Sequence, residues 1–198
     1  MSDVHSRIIF PLDNMSNFEA HKWFMMLRGK IAYFKVGLEM FVSEGPKVLE
    51  VLGAHTCMLD LKFNDIPNTM KQATAVAVSY GVPLLTVHAS AGKEAMKWCV
   101  DATKDSPTNI VAVTLLTSLP FDRIVFERRV EDSIRAGVTH FVCSPNEAKI
   151  IKYINHDAVV ITPGISLTGE VRDDQKRVNT QFSIIPFSSG ATFDKAYY

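Results

Sequence analysis

Ten residues, Asp60-Leu61-Lys62-Phe63-Asn64-Asp65-Ile66-Pro67-Asn68-Thr69, place two carboxylates and an ammonium where an apolar strand gives way to a helix. Successive side chains of a strand point to opposite faces, so Asp60 and Lys62 share one face of Met58 to Phe63. Unit charges about 4 Å apart, at an effective dielectric near 20, interact by roughly 4 kcal/mol, enough for each to hold the other ionised. The result is a fixed carboxylate beside a fixed proton donor. Pro67 suits the first helical turn and Asn64 or Asp65 can cap it, so the segment reads as strand, short loop and helix start. A lone Asp-x-Lys is equally what a structural ion pair looks like, and the rest of the chain has to separate the two readings.

Seven β-rich runs could position such a cluster: Arg7 to Leu12, Ile31 to Val36, Cys57 to Lys62, Pro83 to His88, Ile110 to Leu115, His140 to Cys143 and Ala158 to Thr162. Helical periodicity fills most of the intervals, in Phe18 to Leu27, Gly45 to Leu52, Asn68 to Tyr80, Lys93 to Lys104, Asp122 to Arg135 and Pro145 to Ile154. Most strands lack polar alternation, which predicts burial on both faces and a parallel sheet. Such alternation fits an open doubly wound sheet or a (β/α)8 barrel. Asp13, Lys35, Lys62, His88, Thr117 with Ser118, Ser144, and Thr162 with Pro163 and Gly164 all fall at or just past strand C-terminal ends. Polar residues spread over seven strand ends favour the barrel, whose active sites draw on several strands at that face.

Bulk properties narrow the functions. The chain has 198 residues, enough for one domain, with 21 basic and 21 acidic side chains, so it lacks the basic footprint of a nucleic-acid binder. No apolar run approaches the roughly 20 residues of a membrane span, and the first residues lack a signal-peptide core, so a cytoplasmic protein is expected. Cys57, Cys99 and Cys143 are far apart in apolar surroundings and are expected as buried thiols. The six histidines show no metal-binding spacing and there is no dinucleotide or P-loop motif, so no cofactor or metal is expected.

These segments resemble orotidine 5'-phosphate decarboxylase in its bacterial form. The matching pieces are Leu12-Asp13, Phe34 to Phe41, Asp60 to Thr69, Val87 to Ser90, Ala112 to Ser118, Val142 to Ser144, Thr162 to Ile165 and Asp173 to Val178. The resemblance implies an α/β fold of the (β/α)8 TIM-barrel type. It also implies cofactor-free decarboxylation of orotidine 5'-monophosphate to uridine 5'-monophosphate, by a homodimer with shared sites. Lys35, Asp60, Lys62 and Asp65 would form an alternating charge network, with Asp65 reaching into the partner's site. Lys62 would protonate C6, and Asp60 would lie against the departing carboxylate. Asp13 and Lys35 would bind ribose hydroxyls, and Asn64, Asp65, Ile66 and Thr69 would contribute to substrate binding at the shared site. Thr117 or Ser118 would contact the pyrimidine and Gln175 the phosphate.

The C-terminal part departs from this pattern. Ser166 follows Thr162-Pro163-Gly164-Ile165 where the family usually has a phosphate-binding arginine, and no Gly-Arg pair follows Val178. The expected organisation is one barrel domain over residues 1–179, without a regular eighth strand and final helix, and an atypical tail over 180–198 that reads like a frameshifted or truncated frame. Unpaired edges on the first and seventh strands and impaired turnover would follow. Two alternatives stay open: a non-catalytic barrel remnant, and another phosphosugar lyase of the same superfamily.

Overall fold

A computed structural model describes residues 7–116 and 118–163. Strands and helices alternate as β1 (Ile9–Pro11), α1 (Asn17–Leu27), β2 (Tyr33–Gly37), α2 (Leu38–Glu44), α3 (Lys47–Leu52), β3 (Cys57–Phe63), α4 (Pro67–Ser79), β4 (Leu84–His88), α5 (Lys93–Ala102), β5 (Asn109–Val113), α6 (Arg123–Arg135), β6 (His140–Val142), α7 (Pro145–Ile154) and β7 (Val159–Ile161). All seven strands are parallel and lie side by side in chain order, β1 to β7. That order, with a helix after nearly every strand, is the barrel arrangement and not the reversed order of a doubly wound sheet. Among the described residues it forms an open, curled sheet, and the expected character of its C-terminal closure lies outside them.

The two faces of the sheet divide the core. One face packs beneath the helices, where Phe34, Val36, Leu59, Leu85, Val87, Ile110, Ala112, Phe141 and Val160 join helical residues such as Leu49, Met70, Met96, Phe126 and Ile151. The other face gathers one residue from each strand, Ile9, Tyr33, Met58, Leu84, Val111, Val142 and Ile161, into a separate apolar layer. A sheet can bring all seven strands to one small cluster only by curling around it. Along β2, β3 and β4 the period of two then puts Lys35, Asp60 and Thr86 one step further toward the C-terminal ends of that inner face. The apolar layer is thus the floor on which the charged residues stand.

Local chemistry explains the element ends. Ser16 caps α1, its hydroxyl accepting from the Glu19 amide at 3.3 Å while the Glu19 carboxylate accepts from the Ser16 amide at 2.9 Å. The Phe34 to Phe41 run leaves its strand at Gly37 and turns at once into α2, a helix that the periodicity beginning at Gly45 does not anticipate. Gly45, with φ of 63°, and Pro46 separate α2 from α3. The start of α4 also differs from expectation. Ile66 is its N-cap and no side chain caps it, because Asp65 folds its carboxylate back onto the Ile66 amide at 2.7 Å.

Cys57, Cys99 and Cys143 are buried, as their surroundings suggested. Burial pushes the Cys57 thiol up to about 11 and raises that of Cys99. No described helix is long and apolar enough to cross a membrane.

Candidate active site

The inner-face carboxylate of β3 is the centre of the site. Asp60 Oδ2 accepts from Lys62 Nζ at 2.8 Å and faces Lys35 Nζ at 3.4 Å, and Lys35 in turn grips both oxygens of Asp13 at 2.9 and 2.7 Å. Two ammonium groups and two carboxylates therefore alternate across the C-terminal ends of β1, β2 and β3. The Asp60 side chain is 9% exposed, whereas those of Lys62 and Asp13 are 32% and 37% exposed, so the cluster rises from a buried anchor toward the mouth. Burial alone would raise the Asp60 carboxyl. The charges of Lys62 and Lys35, with hydrogen bonds from Lys62 and Thr86, outweigh burial and hold it below the ordinary carboxylate value.

The backbone of β3 is bent to make this arrangement. Leu59 pairs with Leu85 and Phe63 with Val87, so β3 carries extra residues between those points and bulges. Lys62 lies in the bulge with φ of 49°, a left-handed conformation that costs a side-chain-bearing residue about 1–2 kcal/mol. Its amide donates to the Thr86 hydroxyl at 2.8 Å, and that hydroxyl donates to Asp60 Oδ1 at 2.9 Å. Simple strand alternation places Asp60 and Lys62 on one face for the right outcome but an incomplete reason, since the bulge sets how the two heads meet.

Gly37 is a second residue that strand periodicity does not flag. A Cβ there would lie 2.6 Å from Asp13 Oδ1 and 3.3 Å from Lys35 Nζ, so the Asp13–Lys35 pair rests directly on the backbone. Gly37→Ala should push Asp13 off Lys35. A loss of about 1 kcal/mol of stability in a denaturant melt is expected with the fold retained; unchanged stability would show that the pair tolerates the displacement.

The remaining candidates fall into three places. Asp65, Ile66 and Thr69 are exposed at the start of α4, and Asp65 makes no ion pair with the cluster of its own chain, where Asp13 pairs with Lys35. Asn64 is also exposed, its Oδ1 accepting from the Ser90 hydroxyl at 3.4 Å, and Ser118 is exposed in the turn after β5. Thr117, Ser166 and Gln175 lie outside the described residues. His88, at the end of β4, accepts from the Ser90 amide through Nδ1 at 3.2 Å. Burial lowers its pKa, and the charges of Arg129 and Lys62 push the same way. Among the described residues no group of three or more His, Cys, Asp or Glu could hold a metal ion.

A curled parallel sheet with its ionic cluster on the inner face at the strand C-terminal ends has the architecture of a barrel enzyme. Residues 6–186 match the model of the orotidine 5'-phosphate decarboxylase / HUMPS family, and the chain belongs to that family. It is 36% identical to orotidine 5'-phosphate decarboxylase of Gloeothece citriformis, over 92% of this chain and 85% of that protein. Identity to the protein of the same name from Bacillus pumilus is 35%, over 87% and 82% of the two chains. Among solved structures, orotidine 5'-phosphate decarboxylase from Lactobacillus acidophilus superposes with a TM-score of 0.72 at 27% identity, covering 80% of this chain and 81% of that one. An uncharacterized conserved protein from Geobacillus kaustophilus gives 0.70 at 29% identity, covering 79% and 82%.

Proposed function

We propose that this protein decarboxylates orotidine 5'-monophosphate to uridine 5'-monophosphate in pyrimidine biosynthesis. The observation that carries the reading is the Asp13–Lys35–Asp60–Lys62 chain of alternating charges, set on the inner face of a barrel-type sheet in a member of this family. In the reaction the bond between C6 and its carboxylate breaks, CO2 leaves, and the electron pair stays on C6. Lys62 Nζ then donates its proton to C6 and recovers one from solvent. Asp60 lies against the departing carboxylate, so its charge opposes the ground state more than the transition state, in which that negative charge moves away onto the ring. The same carboxylate keeps the Lys62 ammonium aimed at the developing carbanion, which is electrostatic preorganisation. Asp13 and Lys35 take the ribose hydroxyls, and Thr117 or Ser118 and Gln175 complete the pyrimidine and phosphate contacts.

The working form in this reading is a homodimer with shared sites. Exposure of Asp65, Ile66 and Thr69 at the head of α4 supports it, since side chains meant for a partner's site have no reason to fold into their own. Ser166 in place of the phosphate-binding arginine supports turnover below that of the named relatives. Phosphate binding energy that is not realised cannot assist the reacting centre. The Ile66-Pro67-Asn68-Thr69 continuation and the names of the relatives favour orotidylate over other phosphosugar acids.

Steady-state rates measured from the loss of orotidylate absorbance, beside the Bacillus pumilus protein, test both parts. Measurable turnover at a kcat/KM lower by orders of magnitude is expected. Equal rates would overturn the impairment, and conversion of a keto-sugar phosphate acid in place of orotidylate would overturn the substrate.

A further inference from the structure

We propose that Thr86 is a positioning residue whose single hydroxyl locks Asp60 and the bulged backbone of Lys62 into one rigid unit. The inference deepens the decarboxylase reading and rests on it for its effect on turnover. Thr86 is fully buried on the inner face of β4, between Leu84 of the apolar floor and His88 at the rim. A buried hydroxyl among the apolar residues of β4 needs partners, and it has two. It accepts from the Lys62 amide at 2.8 Å and donates to Asp60 Oδ1 at 2.9 Å.

Each bond has a separate consequence. The bulge between Leu59 and Phe63 takes Lys62 out of register with β4, and the threonine hydroxyl supplies an acceptor for its amide. This holds the left-handed turn from which the Lys62 side chain reaches back to Asp60. The second bond occupies Oδ1 and leaves Oδ2 as the edge presented to both Lys62 and Lys35. A β-branched side chain buried on both sides has little rotamer freedom, so one oxygen fixes the carboxylate and the ammonium relative to each other. Valine has nearly the same shape and would fill the space, but would leave a part-buried amide and a buried carboxylate oxygen without this partner.

The test compares Thr86→Val and Thr86→Ser with the wild-type chain. Two readouts are used: steady-state turnover of orotidine 5'-monophosphate, and the titration of Asp60 followed through the 13C shift of its carboxyl carbon in the ligand-free protein. The charged groups facing Asp60 are Lys35 from β2 and Lys62 from β3, with Asp13 behind Lys35, and the titratable imidazole of His88 stands at the end of β4; all are unchanged in the variants. Thr86→Val should lower kcat about 10- to 100-fold with KM within about threefold, as expected when a reacting group is misplaced without losing substrate contacts. It should also raise the Asp60 midpoint, and Thr86→Ser should return both toward wild type. A folded Thr86→Val protein with kcat within about twofold of wild type, or with an unmoved Asp60 midpoint, overturns the proposal. If Thr86→Val does not fold, Thr86→Ala carries the same expectations; if neither folds while Thr86→Ser does, the hydroxyl serves folding and the positioning role is overturned. A wild-type chain silent on orotidylate refutes the functional reading instead, and the carboxyl titration then decides the lock by itself.

Discussion

Lys62→Ala is expected to lower kcat/KM for orotidine 5'-monophosphate by at least about 10³-fold while the protein stays folded. Two losses combine in that number. In the proposed mechanism the proton donor for C6 disappears, and general acids are commonly worth about 10²- to 10⁴-fold. The positive charge that stabilises the developing carbanion goes with it. Folding should survive because Asp60 keeps Lys35 at 3.4 Å and the Thr86 hydroxyl, and because the Lys62 side chain is 32% exposed near the mouth. Alanine also tolerates the left-handed backbone no worse than lysine does. Rate measurements alongside a thermal melt separate the two effects, and a variant within tenfold of wild type would remove Lys62 from the chemistry.

Asp60→Asn should cost about 10²- to 10³-fold in kcat and also change how stability responds to acid. In the proposed mechanism an amide neither repels the substrate carboxylate nor anchors two ammonium groups, so Lys35 would keep Asp13 and Lys62 would lose the carboxylate it contacts. Removing one member of a largely buried ionic set should destabilise the fold, by about 1–3 kcal/mol given that the lysines keep some access to water. The Asp60 carboxyl titrates below its ordinary value in the folded chain. Its stabilising contribution is therefore fully present above the ordinary carboxylate range and is lost as pH falls through the lowered value. The melting temperatures of wild type and Asp60→Asn should be furthest apart near neutral pH and converge on acidification. A gap that widened as pH fell would contradict the assigned charge state.

Much of this molecule can be read from its sequence, and the reasons are local. The strands announce themselves because runs such as Ile110 to Val113 are apolar on both faces, and the helices because apolar residues recur at helical spacing and Pro67 and Pro145 mark two of the starts. Asp60 and Lys62 stand out because charge at an apolar strand end is costly unless used. The chain-order sheet follows from that alternation only together with the polar residues at seven strand ends, which favour a barrel over a doubly wound sheet. Three features escape that kind of reading. The bulge depends on register between β3 and β4, which no single-strand pattern encodes. Gly37 looks like an ordinary strand end until Asp13 and Lys35 are seen lying across it. Thr86 looks like one more β-branched strand residue, although a polar side chain two positions before His88 on the inward face was a usable signal. Asp65 shows another limit: the resemblance assigns it to a partner's site, so the ion pairs within one chain do not reach it, and here its carboxylate accepts from the Ile66 amide.

The most direct measurement is product stoichiometry: the purified full chain is incubated with carboxyl-labelled orotidine 5'-monophosphate, and released CO2 and uridine 5'-monophosphate are quantified together. The expected result is equimolar formation of the two by the wild-type chain, with both abolished by Lys62→Ala. Absence of CO2 release from the folded wild-type protein, or equal release from Lys62→Ala, would contradict the account.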